Sequence, residues 1–104
     1  MIGCDITKIT RFIGKSDYFV NRVLSLDELN QYNLKTNKIE YLAGRWSAKE
    51  SIFKATGLRN AVILNNDDGH PYVLNEPNIC VTISHDGDYV FTVALDKRNG
   101  QTLG

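Results

Sequence analysis

Residues 38 to 56 carry apolar side chains at the helical period, with Ile39, Leu42, Ala43, Trp46 and Phe53 on one stripe. Gly57 follows, where helices commonly end in the left-handed conformation. The pattern predicts one long core-facing helix that the remaining elements must cover. Glu50 falls inside this stripe, four residues after Trp46 and three before Phe53, so its carboxylate is expected to point inward. An inward carboxylate is costly unless a charge or hydrogen-bond donors meet it, and binary patterning does not put one there for stability. Lys54, four residues on, can meet Glu50 on the same face. On this helix alone, an ion pair at the edge of the core and a functional acid both stand.

The flanking segments supply the cover. Residues 1–7 alternate, with Ile2, Cys4 and Ile6 on one side and Gly3, Asp5 and Thr7 on the other, as in a half-buried strand. Asp5 lies near its end, on the face opposite the apolar one, and Gly3 leaves room for a close approach to the backbone. Ser16 opens a short helical pattern through Phe19, Val20, Val23 and Leu24. Ser25 and Glu28 form a capping box that starts a second helix, reaching about Tyr32 or Leu34. After the long helix the period changes to that of strands. Residues 61–64 and 71–74 form a loose hairpin, and residues 79–84 and 89–95 are the two clearest strands, joined through His85-Asp86-Gly87-Asp88. Residues 96–104 are polar and expected to fray. The order predicts a single α+β domain over 1–104, an antiparallel sheet packed on one long helix with short helices beside it.

Composition narrows the function classes. Twelve basic and twelve acidic residues balance among 104, which argues against a nucleic-acid or membrane-surface protein on bulk charge. Charge is uneven, however: Lys8, Arg11, Lys15 and Arg22 face only Asp17 in that stretch, which suits an acidic partner or a solvated face. Cys4 and Cys80 sit in apolar, strand-like runs without metal-ligand spacing and are expected to be buried thiols. No run has the length of a membrane span and the start has no signal-peptide pattern, so a cytoplasmic protein is expected.

Three polar features remain: Asp5 at a strand end, Glu50 with Lys54 on the helix, and Ser84-His85 at another strand end. Two carboxylates on separate elements with a lysine nearby suit Mg2+, which takes one or two carboxylates and completes its shell with water and substrate phosphate oxygens. Lys54 would neutralise the same phosphates. Such a site needs no protein nucleophile, because phosphoryl transfer depends on positioning and charge stabilisation. His85 could touch a phosphate, act as acid or base, or simply bond turn backbone. Glycine-rich phosphate loops are absent.

Five ordered segments make the chain recognisable: Ile2-Gly3-Cys4-Asp5-Ile6; Arg22-Val23-Leu24-Ser25 with Glu28-Leu29; Leu42-Ala43-Gly44-Arg45-Trp46-Ser47-Ala48-Lys49-Glu50 with Lys54-Ala55; Gly69-His70-Pro71; and Ile83-Ser84-His85. Together they resemble the holo-[acyl-carrier-protein] synthases, the small bacterial 4′-phosphopantetheinyl transferases. The resemblance implies that family's fold and its reaction: a serine hydroxyl of apo acyl carrier protein takes 4′-phosphopantetheine from coenzyme A, releasing adenosine 3′,5′-bisphosphate, in fatty acid biosynthesis. It implies Asp5 and Glu50 as Mg2+ ligands and Lys54 on the CoA diphosphate. Arg45, Lys49 and His85 become further candidates for CoA phosphates. Glu50, or a metal-held water near Asp5, is the candidate base. Arg11 and Arg22 lie where the family docks its acidic carrier. Larger relatives fuse two such units around one site, so a single unit implies a homotrimer with interfacial sites.

The chain departs from the family at Lys8, where a Glu is usual, and in the shortened loop Thr56-Gly57-Leu58-Arg59-Asn60, where Arg59 is a candidate to help bind phosphate. These departures keep open a non-catalytic CoA- or nucleotide-binding module on the same fold, and a structural oligomerisation domain.

Overall fold

The structure, a computed structural model, describes residues 1–98, so most of the polar tail expected to fray lies outside the described residues. Strand β1 (Ile2–Lys8) runs into a 3-10 turn (Ile9–Phe12) and two short helices, α1 (Asp17–Val23) and α2 (Leu26–Asn33). The long helix α3 (Lys38–Thr56) follows, then β2 (Ile63–Asn65), β3 (Pro71–Val73), β4 (Ile79–Asp86) and β5 (Tyr89–Asp96). The sheet is antiparallel in the order β1-β5-β4, and β2 with β3 form a separate two-stranded sheet. The α+β architecture predicted from the sequence is the one found.

Local chemistry sets the boundaries. The Ser16 hydroxyl accepts from the Phe19 amide at 3.2 Å to start α1. Both halves of the Ser25–Glu28 capping box are made, at 3.2 and 2.8 Å. Asn37 caps α3 through the Glu40 amide at 3.1 Å, and Gly57, at φ 77°, ends it. With 19 residues, α3 is about 28 Å long.

Two sequence expectations about packing are overturned. The buried positions of α3 are Tyr41 through Arg45, Ser47, Ala48, Ser51, Ile52 and Ala55, whereas Phe53 is 40% exposed. The helix is enclosed on several sides, by the sheet on one and by α2, β2 and the 3-10 turn on others, so a single apolar stripe does not describe it. The second concerns β1. Its buried face is Gly3, Asp5 and Thr7, and its apolar face is open, with Ile2 67% and Ile6 64% exposed. Gly3 explains the inversion: a Cβ there would lie 2.2 Å from the Ser51 carbonyl oxygen and 2.8 Å from the Ala55 amide nitrogen. The helix backbone rests on that face of the strand, and only glycine admits it. Cys4 and Cys80 are accordingly exposed on the open side of the sheet, not buried.

Candidate active site

Asp5 is the point where β1 and α3 exchange polar contacts. Its Oδ2 accepts from the Thr7 hydroxyl at 2.7 Å and from the Ser47 hydroxyl at 2.8 Å. Its Oδ1 accepts from the Lys54 ammonium at 3.2 Å, and Lys54 also donates to the Cys4 carbonyl at 3.0 Å. Lys54 therefore pairs with Asp5 across the strand–helix junction, and the Glu50–Lys54 pair allowed by the sequence is not formed. Glu50 is half-buried and not directed into the core. It makes no ion pair among the described residues. It stands four residues before Lys54, on the flank of the helix face that meets Asp5.

Glu50 opens into a cleft of about 340 Å³ with Trp46, Lys49, Asn60 and the end of α1, including Arg22. Arg22 sits over the Tyr18 ring at 5.7 Å and donates to its hydroxyl at 3.0 Å. Arg11 lies over Phe12 at 5.5 Å and Trp46 at 5.8 Å, and Lys15 over Phe19 at 5.0 Å. Aromatic rings hold these cations in place, and no described carboxylate pairs with them. Lys8 turns to the open side of the sheet, over Tyr89 at 5.9 Å, away from Asp5. Arg59 stacks on Phe53 at 4.7 Å.

Lys49 has a different job from the one its motif suggested. Its ammonium donates to Glu28 Oε1 at 2.8 Å and to the Ala61 carbonyl at 2.6 Å. Glu28 is fully buried and also accepts from the Ser25 and Ile63 amides, each at 2.8 Å. The lysine neutralises an interior carboxylate that ties α2, α3 and β2 together, and both its contacts would be lost if it turned to a phosphate.

Arg45 and His85 meet elsewhere. They line a cavity of about 270 Å³ with Lys35, Glu40, Tyr41 and Ile83. Arg45 is buried; one amino group donates to Asn65 Oδ1 at 2.7 Å, the guanidinium lies 4.3 Å over Tyr41, and its Nε has no partner among the described residues. His85 Nε2 faces Glu40 Oε1 at 2.8 Å. Burial raises the Tyr41 phenol above its ordinary pKa, and the Arg45 charge beside it offsets part of that rise. A cavity bordered by Lys35, Arg45 and His85 can receive an anion.

The predicted residues thus divide into two groups. Asp5, Glu50 and Lys54 lie toward the β1 edge, whereas Arg45 and His85 lie toward the β4 edge, with β5 between them. Strand spacing alone separates β1 from β4 by about 10 Å, and Arg45 and Ser47 project about 200° apart around α3. Sequence reasoning missed the buried hydroxyls behind Asp5 and the second role of Glu28. Ser47 and Ser51, weak helix formers on a face shared with Ala48 and Ile52, were the available signal for the former.

Two carboxylates with a lysine suit a divalent cation of the Mg2+ type. Among the described residues no three His, Cys, Asp or Glu side chains gather as a metal cage, and Mg2+ does not require one. The ammonium of Lys54 on Asp5 Oδ1 marks a position where positive charge is already stabilised.

Residues 1–94 match the family model of the 4'-phosphopantetheinyl transferase superfamily. The chain is 32% identical to a holo-[acyl-carrier-protein] synthase of Mycoplasma mobile over 98% of its own length and 94% of the relative's. Among solved structures it is similar to the holo-[acyl-carrier-protein] synthase of Neisseria meningitidis, with a TM-score of 0.78, 26% identity, and 89% and 94% of the two chains covered. It is likewise similar to that of Bacillus anthracis, solved in complex with CoA (3',5'-ADP), with a TM-score of 0.77, 28% identity, and 89% and 91% covered.

Proposed function

Because this chain belongs to the holo-[acyl-carrier-protein] synthases of the 4'-phosphopantetheinyl transferase superfamily, we propose that it moves 4′-phosphopantetheine from coenzyme A to a serine of apo acyl carrier protein. The serine oxygen attacks the phosphorus that carries the pantetheine arm, the bridging P–O bond breaks, and adenosine 3′,5′-bisphosphate leaves with that oxygen. The observation that carries this reading is the Asp5 carboxylate, held by hydroxyls on one oxygen and by Lys54 on the other, with Glu50, which makes no ion pair among the described residues, one turn before Lys54 on α3.

In this assignment Lys54 moves from Asp5 to the diphosphate and offsets charge on the leaving group. Asp5 and Glu50 are the residues that would hold Mg2+, and the ion would supply charge neutralisation for the diphosphate. Glu50, which opens to the cleft with Arg22, is one candidate to take the serine proton as general base, and a water near Asp5 is the other. Arg45 and His85 receive the remaining CoA phosphate; the cavity they line with Lys35 supports this, because it gathers cationic side chains around one space. Arg11 and Arg22 dock the carrier, whose acidic surface their unpaired charge fits. Carrier charging of this kind serves fatty acid biosynthesis in the cytoplasm.

Two features support a homotrimer with interfacial sites. The half-sites lie toward opposite edges of the sheet, and the open sheet face exposes Ile2, Ile6, Phe91 and Leu95. An apolar surface of that kind is covered in stable proteins, and a symmetric neighbour would bring one chain's Arg45 group to another's Asp5 group. Incubation with CoA, Mg2+ and an apo carrier protein is expected to add one phosphopantetheine to the carrier by mass. Failure to modify any carrier, cognate ones included, would refute the assignment.

A further inference from the structure

Asp5 needs help to be a ligand. The terminal torsion of an aspartate is soft, so hydrogen bonds and not rotamer preference decide which oxygen faces the site. Behind Asp5 lies a set of buried hydroxyls from three elements: Thr7 on β1, Ser47 and Ser51 on α3, and Thr92 on β5. Each has a single proton to give. Ser47 Oγ is 2.8 Å from Asp5 Oδ2 and 2.9 Å from Thr92 Oγ1. Thr92 has an acceptor of its own in the Ser47 carbonyl at 2.9 Å, and the Ser51 hydroxyl abuts Thr92. A carboxylate can only accept, so the Ser47 proton goes to Asp5, as does that of Thr7 at 2.7 Å. Oδ2 is thereby held inward by two donors, and Oδ1 alone is turned to Lys54 and the solvent side.

We infer that Thr7 and Ser47 are positioning residues that fix Asp5 with Oδ1 presented to the cation. This rests on the assignment of Asp5 as a metal ligand. It also accounts for serine at a fully buried helical position, where alanine would be the better helix former. Neither residue contacts substrate in this account; each acts through Asp5.

The test is Mn2+ binding to the CoA-loaded protein, followed by the electron paramagnetic resonance signal of free Mn2+, with turnover and thermal melting measured alongside. Groups that hold a metal-binding side chain are typically worth 10- to 100-fold in metal affinity, so Thr7→Val and Ser47→Ala are each expected to weaken Mn2+ binding by about tenfold. Thr7→Ser, which keeps the hydroxyl and loses the methyl, is expected to bind like the wild type. A packing role predicts the reverse, with valine tolerated and serine not. Asp5→Asn separates the two levels of the argument. If it binds Mn2+ as tightly as the wild type, the metal assignment fails and this inference with it. If it loses Mn2+ while Thr7→Val and Ser47→Ala keep full affinity, only the positioning role is overturned. Ser47→Ala is expected to fold, since it places the best helix former in α3, so loss of affinity is readable apart from loss of structure.

Discussion

Lys49 and Lys54 stand five residues apart on α3, and each bonds a carboxylate contributed by another element. The first pair, with Glu28, is short at 2.8 Å, and its carboxylate is 0% exposed with two backbone amides completing its shell. The second, with Asp5, is longer at 3.2 Å, its lysine is 51% exposed, and one carboxylate oxygen looks outward. A fully buried carboxylate with both oxygens engaged has nothing left to offer a ligand. A pair at the surface, whose cation can be exchanged for another, does. Burial and donor count, not the type of residue, separate the acid that holds the fold from the acid proposed to serve the reaction.

The comparison breaks most visibly at Glu28. Glu28→Gln is nearly isosteric, but its amide would turn two N–H groups toward donors that need an acceptor, and Lys49 would lose its counter-charge. Removing one partner of a buried pair costs about 3–5 kcal/mol, so urea denaturation should show a loss of that size. Activity per folded molecule should stay near wild type. If the variant instead kept its stability and lost turnover, Glu28 and Lys49 would belong to the chemistry. At the other pair the expectation is reversed. Lys54→Ala should leave stability within about 1 kcal/mol, as for exposed ion pairs generally, and lower kcat by about 100- to 1000-fold, the usual cost of a lost charge-stabilising donor. Glu50→Gln should behave alike, since it removes no observed ion pair.

How much of this could be read from residues alone follows the same division. Caps were legible because Ser16, Ser25 and Gly57 act on neighbours in sequence, and the structure has each of them. The motif residues Asp5, Glu50 and Lys54 were legible as chemistry that a core does not need. The partner each one meets was not. Periodicity allowed a Lys54–Glu50 pair, whereas the close approach permitted at Gly3 brings β1 onto α3 and gives Lys54 to Asp5. Similarly, alternation in β1 predicted that Ile2, Cys4 and Ile6 face the core, because alternation shows which residues share a face and not which face the helix covers. Contacts between elements distant in sequence were the part out of reach.

The division between the Asp5 half-site and the Arg45–His85 half-site gives a sharper test of assembly. Asp5→Asn and His85→Ala each damage one half and leave the other intact. If the halves come from different copies, mixing the two inactive proteins under subunit exchange should restore activity. Random assembly leaves about a quarter of the interfaces with both halves intact, so recovery should approach that fraction. No recovery, with exchange shown by mass, would put both halves in one chain.

Tyr41 offers the smallest effect, and it joins the two regions, since its ring lies under Arg45 while its hydroxyl is 3.2 Å from the Glu28 carbonyl and 3.3 Å from Gln31 Oε1. Tyr41→Phe forfeits the hydrogen bond of that hydroxyl, worth about 1 kcal/mol. The dependence on pH has a definite sign. Burial raises the folded-state pKa of the phenol above its unfolded value near 10, so its contribution is fully present below the unfolded pKa and is lost as pH rises through the folded one. Denaturation measured between neutral and alkaline pH should therefore show the gap between wild type and Tyr41→Phe narrowing above about pH 10, where the unfolded wild-type chain gains by ionising and the variant does not. A gap that widens with pH would mean that the Arg45 charge outweighs burial, and that the guanidinium stabilises a tyrosinate rather than waiting for a phosphate.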